Sequence, residues 1–364
     1  MNNYKVIISG GGTGGHIYPA LSIAKGLQAS FPKIKLLFVG ALGRMEMEKV
    51  PKSGYSIVGL WISGFNRFNK LKNIFLPIKL IISVLHCFII LKKFKPNVVI
   101  GTGGFASGPL LYIASVFGVP ILIQEQNSYP GITNRLLGKR AQSICVAYNG
   151  LSKFFSSDKI KLTGNPVRQD LFSTDDKILK AKSYFKQDKN SKTLLVLGGS
   201  LGAKRINQLI KEKFNFFKEN NIQLIWQCGS LYFNEYKEFE VEQNIYLTPY
   251  IKRMDLAYAA SDFIISRSGA SSISELCIVG RPVIFVPSPN VAEDHQTTNA
   301  KMISNQGAAL MIKEENLIND FEGQFCELIS SKNLQEKLKK NIKKLSKPLA
   351  TEKIVDEIKI LLKA

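Results

Sequence analysis

The stretch Lys5-Val6-Ile7-Ile8-Ser9-Gly10-Gly11-Gly12-Thr13-Gly14-Gly15-His16 decides the fold. A short β-branched run passes into a glycine loop. The chain then restarts as a helix with Ala20, Leu21, Ala24 and Leu27 on one face. Strand, bare glycine backbone and helix together open a nucleotide-type α/β domain. Backbone amides at such a helix start attract phosphate or another anion, and glycine lets a ligand come close. The segment also fits G-x-G-x-x-G through Gly10, Gly12 and Gly15, which brings in a dinucleotide enzyme. That reading needs an acid ending the second strand to hold a ribose, and the strand ends Phe38-Val39-Gly40-Ala41 without one. A purely structural tight turn stays open beside the anion-binding loop.

The same pattern recurs outward from this loop. A second glycine run, Gly101-Thr102-Gly103-Gly104-Phe105-Ala106-Ser107-Gly108-Pro109, again lies between a strand and a helix. A third, Gly198-Gly199-Ser200-Leu201-Gly202-Ala203, opens the second half and lacks the Gly-Lys-Ser/Thr ending of a P-loop. Strands are expected near residues 5–9, 35–39, 97–100, 120–123 and 143–147, then 193–197, 223–227, 244–247, 262–266 and 282–286, with amphipathic helices between them. Alternation of this kind implies parallel sheets covered by helices. Two Rossmann-like domains in tandem are expected, at residues 1–165 and 166–347. The join falls at Thr163-Gly164-Asn165-Pro166-Val167, where Gly and Pro punctuate the pattern. After Ser346-Lys347-Pro348 the tail restarts as a helix over 348–364, with Ile354, Ile358 and Leu361 on one face, free to cap either domain.

The third loop also contains G-x-S-x-G, the nucleophile elbow of α/β-hydrolases, with Ser200 as nucleophile, Asp255 or Asp262 as acid and His295 as base in the required order. That rival leaves the first half unexplained and offers no HGGG-type oxyanion segment.

Composition narrows the classes. A chain of 364 residues exceeds the usual limit of a single core, and a hydrophobic fraction of 45% can fill two. The 49 Lys and Arg against 28 Asp and Glu give a net charge of +21, which favours an anionic partner: nucleic acid, anionic lipid or phosphorylated substrate. No RNA-binding module with interleaved aromatics is present, so nucleic acid is not expected. The five cysteines are scattered, without C-x-x-C or histidines at zinc spacing, which indicates neither a disulfide framework nor a structural metal and suits a reducing setting. The first residues lack the pattern of a secretion signal, so no export is expected. Residues 74–91 are almost continuously apolar, but Pro77, Lys79 and His86 interrupt them, and Lys70, Lys72, Lys92, Lys93 and Lys95 flank them. A helix buried between strands is one reading. The other, favoured by apolar residues on more faces than one sheet can cover, is a helix lying in the headgroup region of an anionic membrane.

With Asn165-Pro166-Val167-Arg168 at the join and Ser266-Arg267-Ser268-Gly269-Ala270 in the second half, the three loops resemble the MurG family, lipid-linked N-acetylglucosaminyltransferases of peptidoglycan synthesis. Gly54, Ile62-Ser63-Gly64, Glu125-Gln126-Asn127, Gly131-Ile132-Thr133-Asn134, Asp294-His295-Gln296 and Asn299-Ala300 extend the match over nearly the whole chain. The resemblance implies a GT-B fold, two Rossmann-like domains facing across a cleft, with the C-terminal helix returning to the first. It implies transfer of N-acetylglucosamine from UDP-N-acetylglucosamine to the 4-hydroxyl of the N-acetylmuramyl unit of lipid I, with inversion, giving lipid II and UDP. It further implies peripheral attachment to the cytoplasmic side of the inner membrane and cell-wall synthesis proteins as partners.

Carried over position by position, Arg168 and Ser200 would hold the donor near its diphosphate, and Ile251 would meet the uracil through its backbone. Ala270, Ser271, Ser272, Ile273, Ser274 and Glu275 would surround the diphosphate and ribose, with Glu275 on the ribose hydroxyls. Gln296 would hold the sugar, and Thr13, Gly14, Gly15 and Asn127 would approach it from the first domain. Read from the residues alone, Ser272-Ile273-Ser274-Glu275 is equally a capping box. One departure stands out: where the family often has a histidine before Glu-Gln-Asn, this chain has Gln124, so no catalytic role for that histidine transfers.

Inverting displacement needs a base for the acceptor hydroxyl and a sink for charge on the leaving UDP. His16 is the candidate base, since imidazole titrates near neutral pH. A helix-capping or phosphate-contacting His16 is the alternative, and a carboxylate such as Glu125 would then be the base. Arg168 and the amides after Gly269 would receive the leaving charge. No Asp-x-Asp occurs, so neither a divalent metal nor another cofactor is inferred.

Overall fold

Runs of Val, Ile and Leu that are buried on both faces build two parallel sheets, the arrangement that helices on either side require. The computed structural model describes residues 3–65, 73–168, 171, 175–199, 201–291 and 294–363. Two units emerge, Met1–Val167 with Lys347–Ala364, and Arg168–Ser346.

In the first unit, β1 (Lys5–Gly10), β2 (Lys35–Ala41), β3 (Ile57–Leu60), β4 (Val98–Gly103), β5 (Ile121–Glu125), β6 (Ser143–Val146) and β7 (Ile160–Leu162) form one sheet, ordered β3-β2-β1-β4-β5-β6-β7. Every pair is parallel, with Val6 of β1 level with Leu36 on one side and Val98 on the other. One apolar layer holds Val6, Ile8, Ile23, Leu27 and Ile100, and the opposite layer Ile7, Val99, Leu110 and Ile123. The helix Ala350–Lys363 belongs to this unit: Ile354, Val355 and Ile358 pack into the layer of Ala24 and Leu27, and Glu357 accepts a hydrogen bond from Ser143 Oγ at 3.0 Å. A Cβ on Gly26 would stand 2.7 Å from Thr351 Cγ2, so the glycine permits that close helix contact.

In the second unit, β8 (Lys192–Leu197), β9 (Ile222–Gln227), β10 (Ile245–Thr248), β11 (Phe263–Ser266), β12 (Val283–Phe285) and β13 (Leu310–Met311) form a parallel sheet ordered β10-β9-β8-β11-β12-β13. Phe217, Phe263, Phe321 and Phe325 lock one face by edge-on ring contacts, with Phe321 and Phe325 stacked.

All ten strands expected from the sequence are present, with ends shifted by up to three residues. The short strands β3, β7 and β13 were not anticipated. Strand order reverses between β1 and β4 and again between β8 and β11. In open α/β sheets such reversals open a crevice at the carboxyl ends of the strands, where ligands bind. The first two glycine loops flank the first crevice. The third loop and residues 267–269 flank the second.

The apolar stretch folds as the helix Leu76–Phe94, which buries Ser83, Cys87, Ile90 and Leu91 and leaves Ile78, Ile81, Ile82, Leu85 and Ile89 exposed. No helix among the described residues is long and apolar enough to cross a membrane.

Candidate functional site

His16 sits in the first turn of the helix Gly14–Ser30, against the loop that leaves β4. Its Nδ1 lies 3.0 Å from Thr102 O and 3.1 Å from Gln126 Oε1. The amide orientation of Gln126 is fixed, because its Nε2 donates to Thr102 O at 2.7 Å and to Gln124 Oε1. Gln124 Nε2 in turn donates to Asn165 Oδ1 at 2.9 Å, and Asn165 Nδ2 donates to Gln126 O at 3.1 Å. Both neighbours of His16 Nδ1 are therefore acceptors, so Nδ1 carries the proton and Nε2 keeps the lone pair. Gln124, Gln126 and Asn165 are all buried, which stiffens the network. Gly103, at φ +100°, is part of it: a Cβ there would stand 2.9 Å from the imidazole Cε1 and Nδ1.

Several glycines of the first loop serve the protein's own packing. A Cβ on Gly10 would collide with Thr102 Oγ1, and one on Gly11 would lie 2.1 Å from Glu46 Oε1. The buried Glu46 carboxylate accepts hydrogen bonds from Gly12 N at 2.9 Å and Ala41 N at 3.0 Å. An acid does stand behind this loop, but it comes from the helix Glu46–Lys52 and occupies the space at the end of β2 itself. What the loop leaves open is Thr13, Gly14 and Gly15: Thr13 and Gly15 are exposed, and a Cβ on Gly15 would meet only Thr13 Oγ1, at 3.6 Å.

Glu125 is not a reserve base. Only 1% exposed, its carboxylate accepts from Asn127 N at 2.9 Å, Asn127 Nδ2 at 3.3 Å, Gly131 N at 3.1 Å and Asn134 Nδ2 at 2.8 Å. Four donors hold it as an acceptor, and it in turn fixes Asn127 in the loop that leaves β5.

In the second unit, Ser200 lies outside the described residues. Around it Gln227 Nε2 donates to Gly199 O at 2.9 Å while Gln227 Oε1 accepts from Ile251 N at 2.9 Å, so one side chain ties the third loop to Ile251. Because the Ile251 amide is engaged, a backbone contact with a base falls to its carbonyl. The helix Ala270–Val279 begins at Ala270 with Gly269 at its N-cap and no side-chain cap. This overturns the capping box: Ser272 is already inside the first turn, and Glu275 turns instead to Arg168 Nε at 3.4 Å and to the hydroxyl of buried Tyr258 at 3.1 Å. Ser271 Oγ is buried without a hydrogen-bond partner in the structure, whereas Ser274 Oγ donates back to Ala270 O at 3.0 Å. Ile273 departs from the expected set, since its side chain is core and its amide donates to Gly269 O at 2.9 Å. Gln296 Oε1 accepts from Ser288 N at 2.9 Å, and Gln296 O accepts from Ser268 Oγ at 2.9 Å, which leaves Nε2 as its donor.

The hydrolase arrangement fails on geometry. Asp262 is level with Thr193 at the start of β8 and accepts from its amide at 2.9 Å, about 16 Å of strand away from the loop at the other end. Asp255 is held by Arg253 through two bonds of 2.7 and 2.8 Å, which push its carboxyl down to about 2. Cys87, Cys145 and Cys277 are equally unsuited to act as nucleophiles, as burial pushes their thiols up to about 12.

Known proteins match this arrangement throughout. Residues 6–146 match the Glycosyltransferase family 28 N-terminal domain and residues 193–354 its C-terminal domain. A UDP-N-acetylglucosamine--N-acetylmuramyl-(pentapeptide) pyrophosphoryl-undecaprenol N-acetylglucosamine transferase of Flavobacterium psychrophilum is 58% identical over 358 residues, covering 98% of both chains. The chain belongs to the MurG family of glycosyltransferases. The corresponding transferase of Christiangramia forsetii is 54% identical over 98% of each chain. The crystal structure of Acinetobacter baumannii MurG superposes with a TM-score of 0.77 at 26% identity, covering 98% of this chain and 99% of that one. The GT-B fold of MurG is therefore the fold of this chain. Sequence reasoning missed Glu46, Thr102 and Gln126 as parts of the site; the only signal for Gln126 was its place in Glu125-Gln126-Asn127.

Proposed function

We infer that this chain moves N-acetylglucosamine from UDP-N-acetylglucosamine to the 4-hydroxyl of the N-acetylmuramyl unit of lipid I, giving lipid II and UDP. The observation that carries the reading is His16: its Nδ1 proton is held by two acceptors, and it stands on a glycine loop at a strand-order reversal. Nε2 is thereby ready to take the proton of the acceptor hydroxyl as that oxygen attacks the anomeric carbon. Thr13, Gly14, Gly15 and Asn127 are the groups of the first unit assigned to the sugars.

In the second unit the donor diphosphate is assigned to the first-turn amides of the helix Ala270–Val279, where an anion is favoured by the helix start. Ser271 Oγ, Ser272 and Arg168 add hydrogen bonds and charge as the UDP leaves. Glu275, oriented by Arg168 and Tyr258, takes the ribose hydroxyls. The Ile251 carbonyl takes the uracil imide, Gln296 Nε2 the sugar, and Ser200, on the third loop, the diphosphate region; Ser274 and Ala270 shape the turn.

The membrane reading is peripheral. Ile78, Ile81, Ile82, Leu85 and Ile89 present an apolar face, and Lys92 lies 5.7 and 5.6 Å from the rings of Phe88 and Phe117. Exposed apolar surface edged by lysines suits insertion at the level of anionic headgroups on the cytoplasmic side of the inner membrane. That attachment brings the enzyme to its lipid-linked acceptor and to other cell-wall synthesis proteins. The test is UDP release from UDP-N-acetylglucosamine with and without a lipid I analogue. Release that depends on the analogue supports the reading, and equal release in its absence contradicts it.

A further inference from the structure

The helix Leu76–Phe94 uses one apolar stripe in two ways. In its C-terminal half the stripe is core, through Cys87, Ile90 and Leu91. Toward the N-terminus the same face continues as Leu76, Leu80 and Val84, spaced i, i+4 and i+8. There it lifts off the protein, leaving Leu80 47% exposed. With Phe105, Tyr112 and Leu136 these residues wall an open groove of about 670 Å³. That volume falls within the roughly 300–1,000 Å³ of small-ligand sites.

We propose that this groove binds the first isoprene units of the acceptor's polyprenyl chain, a proposal that rests on the lipid I reaction above. Three observations favour that occupant. The lining is mostly aliphatic and aromatic, with Ser63, Tyr112, Thr133 and Arg140 its few polar side chains, which suits a hydrocarbon chain better than a peptide backbone. The groove also starts at the glycine loops: Phe105 belongs to the second loop, and its ring lies 3.3 Å from where a Cβ on Gly12 would be. An acceptor seated at the open Thr13-Gly14-Gly15 end of the first loop therefore has Phe105 between it and the groove. Finally, the rim is cationic. The Arg140 guanidinium stands 5.1 Å from the Tyr112 ring, and Lys79 Nζ lies 3.3 Å from Ser63 Oγ and 5.5 Å from the Trp61 ring. Positive charge at the mouth of an apolar trough complements an anionic head with an apolar tail.

The experiment uses soluble lipid I analogues carrying either an ethyl or a farnesyl chain, below micelle-forming concentration and without detergent. Binding is read by calorimetry and transfer by initial rates. The farnesyl analogue is expected to bind at least about tenfold more tightly and to show a correspondingly lower KM, since each fully buried CH₂ contributes about fourfold. Leu136→Trp fills the groove from an exposed position and should erase most of that gain while preserving kcat, the donor KM and the melting temperature. Gly108→Leu narrows the groove from the helix Ser107–Val116 beside Thr133, where an added Cβ meets only Thr133 Cγ2 at 3.5 Å, and should erase it too. Equal affinity for the two analogues in the wild type, or a gain that survives both variants, overturns the proposal. A surviving gain together with weaker sedimentation of Leu136→Trp with phosphatidylglycerol vesicles would assign the groove to membrane phospholipid instead. Chain-dependent binding without any transfer would leave the groove standing and sink the reaction reading, so the two failures are distinguishable.

Discussion

Replacing Gln126 by leucine tests the imidazole network with little change of side-chain volume. The wild-type amide gives His16 Nδ1 one of its two acceptors and donates to Thr102 O and Gln124 Oε1. In Gln126→Leu the ring keeps only Thr102 O, at 3.0 Å, and the fully buried Gln124 Oε1 loses a donor. One orphaned buried acceptor costs about 1–3 kcal/mol, or roughly 2–12 °C in the melting of a unit of this size. Losing one of the two bonds that select the Nδ1–H tautomer removes about 0.5–1.5 kcal/mol of bias, which predicts a kcat about two- to twelvefold lower. The donor KM should not change, because nothing in the second unit is touched. The assay is initial-rate kinetics well below the melting midpoint, paired with ¹⁵N NMR of the histidine ring. In the wild type Nε2 should give the resonance of an unprotonated ring nitrogen, and in the variant that signal should move toward exchange between tautomers. A folded Gln126→Leu enzyme with wild-type kcat and an unmoved ¹⁵N spectrum would refute the positioning role.

Two further expectations follow from the same geometry. His16→Ala should lower turnover by about two to four orders of magnitude. Protonated His16 cannot accept the hydroxyl proton, so the wild-type rate falls on the acid side of the profile, and that limb should be missing in the variant; a retained acid limb with only affinity impaired would make His16 a ligand contact. Glu275→Ala should raise the donor KM more than it lowers kcat, since ribose contacts serve ground and transition states alike. Equal losses in kcat and kcat/KM, measured over a range of donor concentrations, would place Glu275 in the transition state instead.

The strand-glycine-helix units at residues 5–16 and 193–203 were legible because a β-branched run followed by bare glycine has few other uses. The short strands were not. In β3 a glycine interrupts Ile57–Leu60, β7 carries exposed Lys161 and Leu162, and β13 spans two residues, so neighbours define each of them more than composition does. Glu46 was hidden for a related reason. Among Arg44, Glu48 and Lys49 it reads as a solvated charge, and only the amides of Gly12 and Ala41 reveal it as a buried acceptor. Glu275 shows how a local motif misleads: the spacing of a capping box is present, but the helix starts three residues earlier and Tyr258, 17 residues away, takes part of the carboxylate. The interplay of Gln124, Gln126 and Asn165 joins positions up to 41 residues apart, beyond any local pattern.

The most direct test of the account is the anomeric configuration of the product formed from UDP-N-acetylglucosamine and a lipid I analogue, read by proton NMR of the new glycosidic linkage. One displacement assisted by a base predicts a disaccharide whose new bond is inverted relative to the donor. A product with retained configuration, or free N-acetylglucosamine without any disaccharide, would contradict it.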